Sequence, residues 1–135
     1  MSYAATHARY LEAEVMSRPR EWLVPLLYEH LLINLHRARV QIEAGQIEAK
    51  AASLEKASAI VLELACSLDH EKGGELAGRL SALYSFFVGE ILDIGRTLDL
   101  ERLGRLVGVV SELHEGWVQA AEQMAPRGAA PAPRA

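Results

Sequence analysis

The chain has 135 residues, of which half are apolar but only 6% are aromatic, and its formal charge is −4 at pH 7. This length suits a single domain, which buries roughly two thirds of the surface that the unfolded chain exposes. The acidic balance, with acidic and basic residues interspersed, excludes a surface that binds nucleic acid through clustered Lys and Arg.

Cysteine content and hydropathy indicate the cellular compartment of the protein. A single cysteine, Cys66, excludes an intrachain disulfide and is typical of a reducing environment. Residues 1–10 lack a basic segment followed by an apolar one, and no stretch approaches the roughly 18 uninterrupted apolar residues of a spanning helix. We therefore expect a cytoplasmic protein without membrane insertion.

The chain begins with a predicted N-terminal arm, residues 1–16, before a bundle domain, residues 17–124. Ser17 can cap the first helix and Pro19 can occupy its first turn. Pro25 leaves two alternatives, because it disfavours the helical conformation before it: the helix is kinked there or begins there. This helix should end near Glu43, with Gly45 as its stop.

Three further helices follow, each predicted from apolar residues at helical spacing. The second spans residues 46–68 and should bury Ile47, Ala51, Leu54, Ile60, Val61, Leu64 and Leu68. Residues 69–74 interrupt the pattern with two glycines. The third helix then carries a core face of Leu76, Leu80, Leu83, Tyr84, Phe87, Ile91, Ile94 and Leu98.

Asp99 is the predicted cap of the fourth helix, whose core seam comprises Leu103, Leu106, Val110, Leu113 and Trp117. Residues 125–135 are rich in Ala and Pro, and we expect this tail to be disordered. Short connections between long amphipathic helices favour antiparallel neighbours. The predicted fold is therefore all-α, an elongated antiparallel four-helix bundle.

Motifs that would carry chemistry are incomplete. Gly73 and Gly78 have the spacing of a phosphate-binding loop, but Arg79 and Leu80 stand where Lys and Ser or Thr are needed. None of the five histidines follows a Glu by three residues, as di-iron bundles require. Cys66 has no CxxC partner. We predict no catalytic residue, no metal site and no cofactor.

The first helix carries more apolar surface than one core face needs. Successive residues lie about 100° apart around a helix, which collects one broad core arc of Leu23, Val24, Leu27, Leu31, Leu35 and Ala38. Opposite its centre lies a second set, the outer stripe, formed by Trp22, Leu26, Ile33 and Val40. Either the arm or a neighbouring helix covers this stripe, or it binds a partner.

Small residues mark a second anomaly, on the sides of the third and fourth helices that face away from the predicted core. They are Gly78, Ala82, Ser85 and Gly89 on the third helix, and Gly104, Gly108 and Ser111 on the fourth. Each helical glycine costs about 1 kcal/mol relative to alanine. The stripes reflect either drift in composition or a surface that receives a partner's helices.

One run of residues resembles a known family. Ser67-Leu68-Asp69, followed by Glu71-Lys72-Gly73-Gly74-Glu75 and then by Leu80, Leu83 and Tyr84, is similar to the signature of the FliS flagellin chaperones. Further matches are Tyr10, Val15, Leu27-Tyr28-Glu29, Leu113 and Trp117, so the resemblance covers about residues 10–120. The chain departs from the family pattern at Pro19, Arg20, Pro25, His30 and Cys66.

The resemblance implies a helical bundle that binds the disordered C-terminal segment of flagellin in the cytosol, blocks its premature polymerisation and aids its delivery to a component of the flagellar export gate. It also implies that the N-terminal arm, with Tyr10 and Val15, lies over part of the binding surface when that surface is vacant. Two other classes stay open. One is an adaptor or regulator that binds another flagellar protein, and the other, a di-iron or haem bundle enzyme, predicts metal or visible absorbance.

Overall fold

The computed structural model describes residues 22–124, which form four helices: α1 Leu23–Glu43, α2 Ile47–Cys66, α3 His70–Thr97 and α4 Leu100–Met124. These residues contain no strand, and the predicted all-α class is confirmed. The predicted arm, the tail and the helix start at Ser17 and Pro19 lie outside the described residues.

The helices form the predicted elongated antiparallel bundle. Two or three residues connect each helix to the next, so neighbours in sequence run in opposite directions. α1 packs against α2 and α4, whereas α3 packs against α2 and, least extensively, against α4. At 1.5 Å per residue the helices are roughly 30 to 42 Å long.

The start of α1 fits neither of the two alternatives for Pro25, because the helix does not begin there and no non-helical residue interrupts it. The helix begins at Leu23, so Pro25 is its third residue and lies in the first turn. Amide groups in the first turn have no acceptor within the helix, and a proline there loses no hydrogen bond. At the other end, Gly45 adopts a left-handed φ of +70° after the last turn, which confirms the predicted stop.

α3 begins earlier than predicted. Side-chain oxygen Oδ1 of Asp69 accepts hydrogen bonds from the backbone N–H groups of Glu71 (3.1 Å) and Lys72 (3.0 Å), and the helix starts at His70. Within the predicted interruption, residues 69–74, the backbone leaves the helical conformation only at the cap Asp69 and at Gly74, where φ is +51° and ψ is −123°. Only a glycine reaches this backbone conformation readily, so the sequence marked the right residue but too long a break.

The start of α4 agrees with its prediction. The Oδ1 atom of Asp99 accepts a hydrogen bond of 3.1 Å from the backbone N–H of Arg102, which confirms Asp99 as the cap. The preceding residue, Leu98, ends α3 in the left-handed region, with φ at +59°.

Most predicted core positions are buried in one cluster that joins all four helices. Four are exposed instead: Ile47, Ala51, Leu76 and Leu98. Ile47 and Ala51 lie in the first turns of α2, Leu76 follows the break at Gly74, and Leu98 lies beyond the end of α3. The prediction was wrong at these positions because neighbouring helices do not cover the turns near the two ends of the bundle.

An aromatic group ties three helices together inside the core. The hydroxyls of Tyr28 on α1 and Tyr84 on α3 are 2.8 Å apart and share a hydrogen bond. The ring centroid of Trp117 on α4 lies 6.3 Å from that of Tyr28, with the rings tilted. This group links α1, α3 and α4 at one level of the bundle.

Candidate partner-binding surface

The structure divides the outer stripe of α1 into two halves. Trp22 is buried in a cluster with Val118 and Ala121 of α4, so a neighbouring helix covers it. Leu26 is also buried, with 3% of its surface exposed. Ile33 is 39% exposed and Val40 is 64% exposed. Only the second half of the stripe is open to a partner in the described part of the chain.

Ile33 and Val40 form the open half and lie seven residues apart, or about 10 Å along the helix. Both lie on the side of α1 that faces away from the buried residues. His36 and Arg37, between them, are exposed and polar. This alignment makes the open half of the stripe a candidate docking surface for an apolar segment.

The small residues of α3 are open, as predicted. Gly78, Ala82, Ser85 and Gly89 are all exposed. A Cβ atom added at Gly78 or Gly89 would meet no other atom within 4 Å. Another backbone can therefore approach this side of α3 closely.

The glycines of α4 differ from one another. Gly108 is exposed and a Cβ atom there would meet nothing within 4 Å. At Gly104, however, a Cβ atom would lie 3.1 Å from Nη2 of Arg39, which donates a hydrogen bond of 3.4 Å to the backbone oxygen of Leu100. Gly104 thus makes room for an arginine of α1, and a contact within the bundle accounts for it.

An ion cluster shows which flanks of α3 and α4 face each other. The Nε atom of Arg102 donates to Oε1 of Glu90 at 3.0 Å, and its Nη2 atom donates to Oδ2 of Asp93 at 3.0 Å. The hydrogen bond from Arg102 lowers the pKa of Glu90, and the same bond raises the pKa of Arg102. These charges hold the two helices together near the turn that joins them.

Farther from that turn, the facing flanks are apolar. On α3, seven and fourteen residues before Glu90, lie Leu83 and Leu76; on α4, seven and eleven residues after Arg102, lie Val109 and Leu113. Each pair therefore lies on the same flank of its helix as the charged residue. We refer to Leu76, Leu83, Val109 and Leu113 as the α3–α4 strip. Leu76 is 60% exposed and Val109 is 41% exposed, whereas Leu83 and Leu113 are half-buried and pack against the core.

The sequence interpretation missed this strip. It assigned Leu76, Leu83 and Leu113 to the core and did not consider Val109. The spacing of Leu83 and Val109, seven residues from Glu90 and Arg102, is visible in the sequence. It indicates a shared surface only once Glu90 and Arg102 are known to contact each other across α3 and α4.

Within residues 22–124, no group of three or more His, Cys, Asp or Glu side chains could hold a metal ion. Across the same residues no helix is long and apolar enough to cross a membrane. Cys66 is exposed. Tyr10 and Val15, the two predicted binding residues of the arm, lie outside the described part of the chain.

Comparison with known proteins supplies the family. The model of the family described as flagellar protein FliS matches residues 2–124. The chain is 34% identical over 110 residues to the flagellar secretion chaperone FliS of Salmonella typhimurium, covering 81% of this chain and 82% of that protein. It is 33% identical over 107 residues to the flagellar secretion chaperone FliSB of Pseudomonas aeruginosa, covering 79% and 85%. With the Escherichia coli flagellar secretion chaperone FliS it shares 31% identity over 108 residues, covering 79% of each.

Proposed function

Because the chain belongs to the FliS family of flagellar secretion chaperones, we propose that it is a cytoplasmic export chaperone whose client is the disordered C-terminal segment of flagellin. The family is one of chaperones and not of enzymes. In this proposal the bound segment is kept from polymerising too early and is delivered to the flagellar export gate.

The observation that carries the proposal is the presence of apolar surface on two separate parts of the bundle. Ile33 and Val40 are exposed on the outer side of α1, and the α3–α4 strip exposes Leu76 and Val109. Aligned exposed apolar side chains mark interaction sites. An extended segment can reach both surfaces, whereas a compact partner of similar size would dock against one.

The physical chemistry of such a client suits an export chaperone. A disordered segment loses conformational entropy when it binds, so a large apolar surface is needed to offset that cost. The same cost limits the affinity per unit of interface, which allows release. While the segment is bound, its apolar residues are buried against the chaperone and cannot assemble with other flagellin molecules.

Charges placed on the open half of the outer stripe test the proposal. We expect the double variant Ile33→Asp/Val40→Asp to weaken binding of a flagellin C-terminal peptide by at least about tenfold, because both carboxylates lose water in the complex. Folding should change little, since both side chains are exposed. The measurements are calorimetric titration for affinity, and circular dichroism with thermal unfolding for the fold.

The matched control is Ile47→Asp/Leu62→Asp, which adds the same two charges to residues of α2 that are 71% and 56% exposed and lie outside the stripe. It should leave the affinity unchanged. A folded double variant with unaltered affinity would remove the stripe from the binding surface. Equal affinity for intact flagellin and for flagellin lacking its C-terminal segment would refute the client itself and favour an adaptor for another flagellar protein.

A further inference from the structure

Arg37 lies at the centre of the open half of the outer stripe. It follows Ile33 by four residues and precedes Val40 by three, so the three side chains share one face of α1. Like its two apolar neighbours, Arg37 is exposed. The apolar stem of an arginine can lie along neighbouring apolar side chains while its guanidinium group pairs with an anion. This surface therefore offers a partner two apolar contacts with one positive charge between them.

No carboxylate pairs with Arg37 in the described part of the chain, and the sequence of α1 explains why. A helix brings together the side chains of residues that are three or four positions apart. The residues at those positions from Arg37 are uncharged: Ile33, Asn34, Val40 and Gln41. Glu29 and Glu43, the nearest acidic residues of α1, are eight and six positions away. No acidic residue of α1 therefore lies within one turn of Arg37.

Exposed arginines of α3 and α4 differ from Arg37 in this respect. Each of them forms an ion pair with an acidic residue that precedes it by three or four positions. The pairs are Glu75–Arg79, Asp93–Arg96 and Glu101–Arg105. Their charges are compensated within the chain, and exposed pairs of this kind contribute little to stability. The charge of Arg37 has no such compensation among the described residues, so it is available to a partner molecule.

The outer face around Arg37 is basic, although the chain as a whole has a formal charge of −4. Residues 30–42 contain no Asp or Glu, but they include Arg37 and Arg39. Arg39 reaches toward α4, where its Nη2 atom donates a hydrogen bond of 3.4 Å to the backbone oxygen of Leu100. Arg37 is therefore the arginine that this face presents to a partner, and the group that complements it is a carboxylate.

We propose that Arg37 selects the segment that binds the outer stripe, by pairing with the side-chain carboxylate of an Asp or Glu that lies between two apolar residues of the client. The proposal rests on the proposed function, because it takes the C-terminal segment of flagellin as that client. The two apolar residues contact Ile33 and Val40, which are about 10 Å apart along α1. A segment with Lys or Arg in place of the acidic residue is rejected, because two cations would then meet in the interface.

Two substitutions of Arg37 separate a role of its charge from a merely apolar role of the stripe. Arg37→Leu removes the charge and enlarges the apolar surface. It should weaken binding of a flagellin C-terminal peptide by about fivefold if a carboxylate is bound. If the stripe binds through apolar contacts alone, the same variant should bind as tightly as the wild type or more tightly. Arg37→Glu should weaken binding by at least about tenfold, because it places two carboxylates together.

Calorimetric titration measures these affinities, and circular dichroism of each variant confirms that it is folded. The matched control is Arg96→Glu, which makes the same change of charge at an exposed residue of α3 outside both candidate surfaces. It should leave the affinity unchanged. An Arg37→Leu variant that binds as tightly as the wild type, or an Arg96→Glu variant that loses as much affinity as Arg37→Glu, would overturn the proposal.

Exchange of charge between the two molecules identifies the carboxylate. Each Asp and Glu of the peptide is replaced in turn by Lys, and every peptide carries a C-terminal amide. One replacement should weaken binding to the wild type and restore binding to Arg37→Glu. The proposal fails if no replacement does so, or if amidation alone abolishes binding, since the terminal carboxylate would then be the group bound. A wild-type chain that does not bind the peptide refutes the flagellin client, whereas binding that is indifferent to Arg37 refutes only the role of this residue.

Discussion

Tyr28 and Tyr84 share a buried hydrogen bond in the core. The two hydroxyls are 2.8 Å apart, and both side chains are almost fully buried. Burial raises the pKa of both tyrosines, so both are neutral at physiological pH. One hydroxyl donates and the other accepts, which makes each the partner on which the other depends.

The costs of removing these two hydroxyls should not be additive. We expect Tyr28→Phe to lower the free energy of unfolding by about 1 to 3 kcal/mol, because the Tyr84 hydroxyl stays buried without its partner. The double variant Tyr28→Phe/Tyr84→Phe should lose clearly less than the sum of the two single variants. Urea denaturation of the four proteins gives the cycle, and strictly additive losses would show that water replaces the missing hydroxyl.

Helical spacing predicts apolar core residues well but says little about buried polar ones. Leu31, Leu35 and Ala38 are buried as the arc of α1 predicted. Asn34 and Lys56 are buried as well, and no pattern of apolar residues could place them there. The Nδ2 group of Asn34 donates to the backbone oxygen of His30 at 2.9 Å, a contact available only once the helix exists, whereas its Oδ1 atom is buried without a hydrogen-bond partner among the described residues. The hydropathy of Asn34 alone therefore does not predict its burial.

Two glycines close in sequence on α3 have different structural roles. Gly74 has φ at +51° and ψ at −123°, whereas Gly78 lies on the open side of the same helix. Gly74→Ala should lower the free energy of unfolding by about 1 to 3 kcal/mol, because the new side chain strains the backbone. Gly78→Ala should raise it by about 0.5 to 1 kcal/mol, since alanine favours the helix and meets no neighbour.

Thermal unfolding of the two alanine variants provides the comparison, and each serves as the control of the other. If both variants are stabilised, the break at Gly74 is not maintained in solution and α3 runs straight from its cap. If Gly78→Ala is destabilised, some other part of the molecule occupies the space that the described residues leave open at that position.

Helix ends divide into those that local sequence determines and those that it does not. Asp99 and Gly45 were predicted correctly because a cap or stop depends on a few neighbouring residues, whereas the cap at Asp69 was not predicted. Leu76 and Ile47 were assigned to the core, yet both are exposed. Whether a turn near the end of a helix is covered depends on how far the neighbouring helix extends. The residues of the turn itself do not determine the length of the neighbouring helix.

The two candidate binding surfaces lie on different helices of the bundle. The open half of the outer stripe belongs to α1, and the α3–α4 strip lies where two other helices meet least extensively. The first surface was predictable, because one helix contains all of it. The second depends on which flanks of α3 and α4 face each other, and the contact of Arg102 with Glu90 reveals that pairing only in three dimensions.

If one client segment spans both surfaces, their contributions to binding should combine. We expect Ile33→Asp/Val40→Asp and Leu76→Asp/Val109→Asp each to weaken binding of the full C-terminal flagellin segment by about tenfold. The quadruple variant should weaken it by about a hundredfold, because the two sites share no contact. Half-length peptides should each respond to one pair of substitutions only. The control, Ile47→Asp/Leu62→Asp, adds the same charge to exposed residues of α2 and should leave every affinity unchanged. A full segment that responds to one pair and ignores the other would confine the client to one surface. The other surface would then be free for a second partner, because its exposed leucine, isoleucine and valine side chains would stay uncovered while the client is bound.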